Sequence, residues 1–260
     1  MTGLPDLSGK VALVAGASRG IGGHIARALA SRGAAVAVAG RTVEPRVNVP
    51  GTIGSVAEEI EAAGGRALPV RCDVRDESSV EAAVGRTVDE LGQLDVVVCN
   101  AGVMWLRPIT ETSLERWERT LAVNLTGTFL VSRAAIPHLR ARPASSLLAI
   151  TTVGVPMLEL GSNAYWVAKA GVERLYRGLA HELRDDNVAV NCLAPVKVVP
   201  TEGFRAAGGD LPPEELEDPA YIATAAAYLA GQDARSCTGR VVYSVEFLDE
   251  LGLAPVGAVT

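Results

Sequence analysis

The sequence predicts an α/β fold in which a mostly parallel sheet of seven strands carries helices on both faces. Short apolar runs without polar alternation recur along the 260 residues, and helical segments separate them. Continuous apolar runs are typical of strands buried on both faces, and the intervening helices supply the crossovers of a parallel sheet. Because such crossovers are right-handed, we expect the sheet to be doubly wound.

Seven apolar runs give the strand predictions, at residues 10–16, 34–40, 66–74, 94–102, 146–152, 187–195 and 240–247. The segments between them favour helices, because small and apolar residues share one helical face. These helices cover about residues 21–32, 55–65, 78–92, 113–139, 161–183 and 220–230, the last being the final helix. No repeat or long linker divides the chain, so residues 1–260 are predicted to form one domain.

Composition excludes several function classes. The net charge is −6 and no run of Lys or Arg forms a basic stripe, which argues against a nucleic-acid partner. The four cysteines form no C-x-x-C pair, and we interpret them as buried free thiols, with neither a disulfide nor a metal site. No apolar run is long enough to cross a bilayer or resembles a secretory signal, so we expect a cytoplasmic protein without a membrane partner.

The first predicted strand leads into a glycine-rich turn with the spacing G-x-x-x-G-x-G. At a strand-to-helix junction, glycines let the backbone approach a pyrophosphate, and the next helix N-terminus presents free N–H groups. The turn therefore predicts dinucleotide binding. Its candidate cofactor-binding residues are Gly16, Ser18, Arg19, Gly20, Ile21 and Gly22.

Two arginines indicate which dinucleotide binds. NAD sites generally carry Asp or Glu at the end of the second strand, where the carboxylate accepts hydrogen bonds from the ribose. Here Gly40 is followed by Arg41, and Arg19 lies within the glycine turn. Guanidinium groups pair well with a 2′-phosphate. The sequence predicts NADP(H) as the preferred cofactor and NAD(H) as the alternative; in the simpler interpretation, both arginines are merely solvated.

Residues 42–54 make the connection after the second strand longer than usual, with two prolines and two glycines. The sequence leaves two interpretations open. The segment is either a surface insertion or a flap near the adenosine end of the cofactor.

Several motifs in order resemble the short-chain dehydrogenase/reductase family over nearly the whole chain. They are AGASRGIG at 15–22, CDV at 72–74, CNAG at 99–102, VNLTG at 123–127 and Tyr-x-x-x-Lys at Tyr165 and Lys169. The segment 40–77 is similar to a subgroup that includes hydroxysteroid dehydrogenase-like protein 2 and bacterial citronellol-type alcohol dehydrogenases. The resemblance implies a Rossmann-like fold, NAD(P)-dependent conversion between alcohols and carbonyl compounds, and a homotetramer or homodimer.

The resemblance also implies roles for matching residues. Asp73 and the Val74 backbone would meet the adenine, and Asn124 would help to hold a water that relays protons to Lys169. The substrate-binding region is expected mainly in residues 152–164 and 195–220. The remaining cofactor-binding candidates are Asn100, Ala101, Gly102, Pro195 and Val198.

Tyr165 and Lys169 are the predicted acid–base pair, one helical turn apart on one face. Hydride transfer to a carbonyl leaves an alkoxide, which a phenol can protonate. With a pKa near ~10, a phenol is a weak partner near neutral pH. We expect the ammonium of Lys169, helped by the positive charge of the oxidised nicotinamide, to lower the pKa of Tyr165. Lys169 would also donate to the nicotinamide ribose.

The family places a serine thirteen residues before the tyrosine to bind the substrate oxygen, and this position is Thr152. Threonine keeps the hydroxyl donor, while its methyl group narrows the pocket. Thr151 is the alternative if the register slips by one. The family glycine after Pro195 is Val196, and the threonine that would contact the nicotinamide amide is displaced to Thr201. These departures affect recognition of the carboxamide and leave the acid–base pair intact.

Other residues have weaker functional signals. We interpret Asp95 as a structural partner and the three histidines as ordinary helix residues. Segments that either reach the substrate or merely pack contain Met104, Trp105, Leu106, Glu159 and Leu160. Trp166 is interpreted as a packing residue, with a place in a subunit interface as the alternative.

These observations predict an NADP(H)-dependent oxidoreductase that interconverts a hydrophobic alcohol and its ketone or aldehyde. One alternative is a cofactor-binding sensor or scaffold with little catalysis, motivated by Thr152 and the altered Pro195 connection. A second is an enoyl reductase acting on a C=C bond. The spacing of Tyr165 and Lys169 argues against it, since those relatives space the pair more widely.

Overall fold

The computed structural model describes residues 3–45, 50–157, 161–206 and 209–256. Within these ranges it contains a seven-stranded sheet in the order β3-β2-β1-β4-β5-β6-β7, and every neighbouring pair is parallel. This confirms the predicted α/β fold. The strands are β1 (Val11–Ala15), β2 (Ala35–Gly40), β3 (Arg66–Arg71), β4 (Val96–Cys99), β5 (Ser145–Ile150), β6 (Val188–Ala194) and β7 (Val241–Tyr243).

The described helices follow the strands in sequence. A π-helical turn, Ala122–Thr126, joins α4 to α5, and single 3₁₀ turns cover Ile109–Glu111 and Pro213–Glu215. The α-helices are α1 (Gly20–Ser31), α2 (Ile53–Ala62), α3 (Glu77–Leu91), α4 (Leu114–Leu121), α5 (Gly127–Arg140), α6 (Asn163–Glu182), α7 (Glu202–Ala206), α8 (Pro219–Ala230) and α9 (Ser244–Leu251).

Two apolar cores lie on opposite faces of the sheet. Ala12 and Val14 of β1 join the core formed with α1, α2, α8 and α9. Leu13 and Ala15 of the same strand join the core formed with α3, α5 and α6. Because β1 is buried on both faces, it needs apolar residues at every position, which explains its unbroken apolar sequence.

The strand order reverses at β1, which pairs with β2 on one side and β4 on the other. In open α/β sheets, ligands bind outside the carboxyl ends of the strands at such a reversal. The glycine turn follows β1 and the CNAG segment follows β4, so both border this crevice.

The predicted last strand, 240–247, was wrong in its second half. The strand ends at Tyr243, and Ser244 begins α9, so the helix Pro219–Ala230 is not the final one. Phe247 and Leu248 are buried, and Phe247 packs edge-on against Tyr228 of α8. The run is apolar enough for a strand, but its buried residues follow helical spacing against α8.

The predicted long helix 113–139 is divided into α4 and α5 by the π-helical turn. One extra residue in a turn re-aims the side chains that follow it, and π turns occur frequently at functional sites. The short helix α7 was not predicted, because five residues are too few for a periodic pattern.

The described part of the insertion, residues 42–45 and 50–54, contacts the glycine turn. Thr52 caps α2 and exchanges hydrogen bonds with Ser55 at 2.9 Å in each direction. Gly51 has φ +95°, and a Cβ there would lie 2.6 Å from the carbonyl oxygen of Ser18. The end of the insertion therefore lies beside the glycine turn that is predicted to bind the cofactor. Residues 46–49 fall outside the described residues.

Candidate active site

The glycine turn after β1 is packed against the segment after β4. Asn100 donates from Nδ2 to the carbonyl oxygen of Gly16 at 2.8 Å. Gly16 has φ +84°, and a Cβ there would lie 2.6 Å from Cα of Ala101. A Cβ on Gly22 would lie 2.3 Å from the Gly16 oxygen and 2.4 Å from Nδ2 of Asn100. Only glycine fits at these two positions, because the turn packs closely against α1 and the segment after β4.

The N-terminus of α1 presents an anion-binding edge. Arg19, the N-cap, makes no side-chain capping bond, and the first turn carries no acidic residue. The main-chain N–H of Gly20 donates to Oε2 of Glu202 at 2.9 Å. A carboxylate therefore lies where a helix N-terminus binds phosphate. The glycine turn and the helix N-terminus that binds a carboxylate are together suited to the pyrophosphate of a dinucleotide.

The two arginines used to predict NADP have protein partners. Arg19 donates to the carbonyl oxygens of Pro50 and Gly51 at 2.9 and 2.7 Å, which holds the insertion against the turn. Arg41 lies 4.0 Å from Asp73, which also accepts two side-chain hydrogen bonds from Arg75. These hydrogen bonds from Arg75 hold the pKa of Asp73 at about 2, so the carboxyl is ionised at neutral pH.

The other predicted cofactor residues lie along the same edge. Ser18 and Val74 are buried, and Val74 contacts Gly127 at the start of α5. Ile21 is half-buried in the first turn of α1, packed against the core on that face.

Asn124 lies in the π-helical turn and fixes the segment after β4. Its Oδ1 accepts from the N–H of Val103 at 3.3 Å, and its Nδ2 donates to the Val103 carbonyl at 2.8 Å and the Thr120 carbonyl at 2.9 Å. Gly102 lies against the same amide. The side chain thus has a positioning function here, and its predicted role in a proton relay stays a prediction.

Tyr165 and Lys169 share one face of α6 near its N-terminus. The Lys169 ammonium lies 5.5 Å from the centre of the Tyr165 ring and donates to the carbonyl of Ile150 at 2.7 Å. Ser162 has φ +59° and its carbonyl accepts the N–H of Tyr165 at 2.8 Å. A non-glycine residue in the left-handed region is a local strain that typically marks functional segments.

The two candidate threonines after β5 have different partners. Thr152 accepts at Oγ1 from the N–H of Gly154 at 3.2 Å. Thr151 is buried and donates from its hydroxyl to Glu173 of α6 at 2.8 Å. Because the Thr151 hydroxyl is bonded to a carboxylate, Thr152 stays the predicted donor to the substrate oxygen.

The comparisons with known proteins match this arrangement. A family model described as short chain dehydrogenase covers residues 10–209. The chain belongs to the short-chain dehydrogenase family.

Two solved structures and two curated proteins illustrate the similarity of this dehydrogenase to its relatives. A short-chain dehydrogenase from Mycobacterium thermoresistibile is 36% identical with a TM-score of 0.86, covering 95% of this chain and 89% of that one. A short-chain type dehydrogenase/reductase from Mycobacterium marinum is 32% identical with a TM-score of 0.81, covering 92% and 95%. Hydroxysteroid dehydrogenase-like protein 2 from Xenopus laevis and from Homo sapiens is 36% identical over 253 residues, 95% of this chain. The chain spans 59% of the length of these two curated relatives.

Burial shifts the pKa values of both members of the acid–base pair. It raises the pKa of Tyr165 to about 12 and lowers the pKa of Lys169 to about 8. We expected the ammonium to lower the phenol pKa, and the shift of Tyr165 is opposite. The reason is burial of the phenol itself, which disfavours its charged form.

Glu217 fixes the altered connection after β6. Its buried carboxylate accepts from the N–H groups of Val196 at 2.7 Å and Lys197 at 3.3 Å, and from the hydroxyl of Ser244 at 2.6 Å. Among the described non-glycine residues, positive φ occurs only at Ser162 and Asn187. Position 196 therefore does not require a glycine, and valine is accommodated without backbone strain.

The rest of this connection is held at both ends. Val198 forms a bridge with Leu216, beyond Pro195 at the end of β6. The Thr201 hydroxyl accepts the N–H of Phe204 at 3.1 Å and so caps α7. This bond uses the Thr201 oxygen as an acceptor, and the hydroxyl proton can still donate.

The sequence did not predict the roles of two carboxylates near the site. Glu202 and Glu217 were missed, because each acts on residues far away in the chain and no local motif marks them. Asp95 was predicted to be structural, and it accepts from the Val11 N–H and Arg142 at 2.8 Å each, at the amino edge of the sheet. Glu159 and Leu160 lie outside the described residues.

Two further features complete the description. In the described part of the chain, no helix is long and apolar enough to span a membrane. Cys72, Cys99 and Cys192 are buried free thiols and Cys237 is half-buried.

Proposed function

We propose that this dehydrogenase uses NADP(H) to interconvert a hydrophobic alcohol and its ketone or aldehyde. The observation that carries the proposal is the position of the acid–base pair. Lys169 is bonded to the end of β5, and Tyr165 lies one helical turn before it. The glycine turn after β1 and Asn100 after β4 belong to the same carboxyl edge of the sheet.

The chain's own residues would divide the work as follows. NADP(H), when bound, supplies or accepts the hydride. The Gly16–Gly22 turn and the N-terminus of α1 would hold its pyrophosphate. Tyr165 would give its phenolic proton to the substrate oxygen, or take one from an alcohol. Thr152 would hold that oxygen by a hydrogen bond.

Lys169 would also contact the cofactor in this scheme. Its ammonium donates to the carbonyl of Ile150 at 2.7 Å. With cofactor bound it would donate to the ribose hydroxyls, which are additional acceptors for its protons. A protonated Lys169 near the phenol then favours phenolate and lowers the pKa of Tyr165 toward the working pH. Asn124 would help to hold the water that connects Lys169 to solvent.

The preference for NADP(H) over NAD(H) is supported by positive charge at the adenosine end. Arg41 follows β2 and Arg71 ends the neighbouring β3, and both line a pocket of about 440 Å³ together with Asp73. The position after β2 that accepts ribose hydroxyls in NAD sites carries Arg41 here. A guanidinium at this position attracts the negative charge of a 2′-phosphate and can donate two hydrogen bonds to it.

The substrate class is supported by exposed apolar side chains beside the acid–base helix. Met104 is 46% exposed, Leu106 62% and Met157 47%. Ser162, three residues before Tyr165, donates to the carbonyl of Trp105 at 3.1 Å, so this apolar segment adjoins the start of α6. Such a surface suits an apolar alcohol or ketone better than a sugar.

Three broader features belong to the same proposal. Residues 1–260 work as one domain, with substrate contacts mainly in 152–164 and 195–220. The protein acts in the cytoplasm as a homotetramer or homodimer, on a small molecule, without metal, nucleic acid or membrane. These features rest on the sequence and on family analogy.

The second candidate function is an NADP(H) sensor or scaffold with little catalysis. It is favoured by Thr152 in place of the family serine and by the altered connection after Pro195, in which Thr201 caps α7. A panel of alcohols and carbonyl compounds assayed in parallel with NADPH/NADP and NADH/NAD separates the two. Turnover of apolar ketones with NADPH supports the enzyme. Tight NADPH binding without turnover on the whole panel supports the sensor, and a strong preference for NADH contradicts the cofactor assignment.

A further inference from the structure

Glu202 is the only acidic side chain among the described residues that bonds the N-terminus of α1. Its Oε2 accepts from the N–H of Gly20 at 2.9 Å, across 182 positions of sequence. The contact is partly buried, and the methyl group of Thr201 closes over Gly20, where an added Cβ would lie 3.0 Å from it. The start of α7 is thus docked on the glycine turn.

The same N–H belongs to the helix N-terminus on which the proposed function places the dinucleotide pyrophosphate. A helix N-terminus attracts one anion through its free N–H groups and its dipole. A second anion at the same N–H would repel the first and find the donor occupied. Since α1 has no acidic residue in its own first turn, the carboxylate that bonds this edge comes from Glu202.

We propose that Glu202 is an internal competitor of the cofactor pyrophosphate, and that it sets the affinity and the rate of cofactor binding. The proposal rests on the proposed function in one respect, that the glycine turn binds NADP(H). Cofactor binding then requires the carboxylate to leave Gly20, so the segment Thr201–Ala206 is a latch that the cofactor opens.

The connection is built so that its tip can move while its base stays in place. At the base, Glu217 bonds the N–H groups of Val196 and Lys197, and its own N–H donates to Val198 at 2.9 Å. At the tip, among the described residues, Thr201 and Glu202 contact the N-terminus of α1, both at Gly20. Release of one carboxylate would therefore free α7 without unfolding the connection.

Glu202→Gln tests the proposal, with Glu215→Gln as the matched control. Both variants remove one negative charge from the same connection, but Glu215 lies in the 3₁₀ turn at Pro213–Glu215, away from α1. We expect Glu202→Gln to lower the Kd for NADPH about tenfold, as for loss of a competing charge-assisted hydrogen bond. The Glu215→Gln variant should bind NADPH like the wild type.

A shorter carboxylate and a truncated ligand sharpen the test. Glu202→Asp keeps the charge but draws it back from Gly20, so we expect an intermediate Kd. Adenosine 2′-monophosphate carries no pyrophosphate, so its Kd should be the same in the wild type and in Glu202→Gln. Stopped-flow binding should show a rate that saturates with NADPH in the wild type and rises linearly in Glu202→Gln, since opening then no longer limits association.

The outcomes separate this proposal from the function on which it rests. An equal decrease in the Kd for NADPH in Glu202→Gln and Glu215→Gln would show a general charge effect and contradict the proposal that Glu202 competes with the cofactor. An unchanged or weaker NADPH affinity in Glu202→Gln would also overturn it. Absence of NADPH binding in the wild type and in all variants would instead contradict the proposed function.

Discussion

The Lys169 ammonium donates a hydrogen bond to the main-chain carbonyl of Ile150 at 2.7 Å, and this bond joins α6 to the end of β5. Lys169 is only 4% exposed. Burial lowers its pKa to about 8, well below the usual value of a lysine. The bond therefore positions a lysine that changes charge close to physiological pH.

This lysine predicts a distinctive dependence of stability on pH. Its folded pKa of about 8 lies below the ordinary lysine value of 10.5 that applies to the unfolded chain, so the unfolded chain binds the proton more strongly between these values. The free energy of unfolding should then rise with pH across this window, relative to Lys169→Met, by roughly 3 kcal/mol. Urea unfolding of both proteins from pH 7.5 to 10.5 measures the difference. Parallel profiles would contradict the assignment, and Lys10→Met is the control for removal of an ammonium.

Arg41→Ala tests the cofactor preference. Loss of a charged hydrogen-bond donor to a 2′-phosphate should raise the Kd for NADPH by about 10- to 50-fold. The Kd for NADH should stay within about twofold, because NADH lacks that phosphate. Titration of protein fluorescence with each cofactor gives both constants, and Arg235→Ala, on an exposed turn, controls for net charge. Equal weakening of both cofactors would argue against a 2′-phosphate contact.

Gly22→Ala and Gly85→Ala form a matched pair. A Cβ on Gly22 would lie 2.3 Å from the Gly16 oxygen, whereas one on Gly85 meets nothing within 4 Å. Gly22→Ala should lose about 1–3 kcal/mol of stability and most cofactor affinity. Gly85→Ala, inside α3, should gain about 0.5–1 kcal/mol without changing cofactor binding. Thermal unfolding with and without NADPH checks both predictions. A Gly22→Ala protein that binds NADPH normally would contradict the assignment of the glycine turn to cofactor binding.

Substitutions of Thr152 and Thr151 should distinguish a role in catalysis from a role in stability. Thr152→Val removes the proposed donor to the substrate oxygen and should lower kcat/KM about 100-fold. Thr152→Ser should keep activity and improve it for bulkier ketones, because the methyl group is gone. Thr151→Val breaks a bond to Glu173 and should lower stability while kcat changes little. Steady-state kinetics on the four proteins decides between the two registers, since a reversed pattern would assign Thr151 instead.

Much of the fold followed from local pattern. Strands such as Val11–Ala15 and Val188–Ala194 are buried on both faces, and their unbroken apolar runs are visible in the sequence. The segment after Tyr243 misled the prediction, because α9 is apolar where it packs on α8. Apolar content indicates burial, and only the spacing of the buried residues distinguishes helix from strand.

The site was predictable where a motif is local and unpredictable where two distant segments meet. Tyr165 and Lys169 are one turn apart, and their common face follows from helix geometry. The contacts of Glu202 with Gly20 and of Glu217 with Val196 depend on how the connection after β6 folds back. No periodicity or motif specifies such contacts, and the direction of the pKa shifts in the free chain depends on burial that only three dimensions reveal.

The central claim is that Tyr165 is the acid–base group of an NADP(H)-dependent reaction. Tyr165→Phe removes only the hydroxyl, and Tyr228→Phe makes the same change in α8, away from the site. On an apolar ketone that the wild type reduces, Tyr165→Phe should lower kcat/KM by about 1,000-fold while the Kd for NADPH stays within about threefold. A Tyr165→Phe enzyme that keeps more than about a tenth of wild-type kcat/KM would contradict the account.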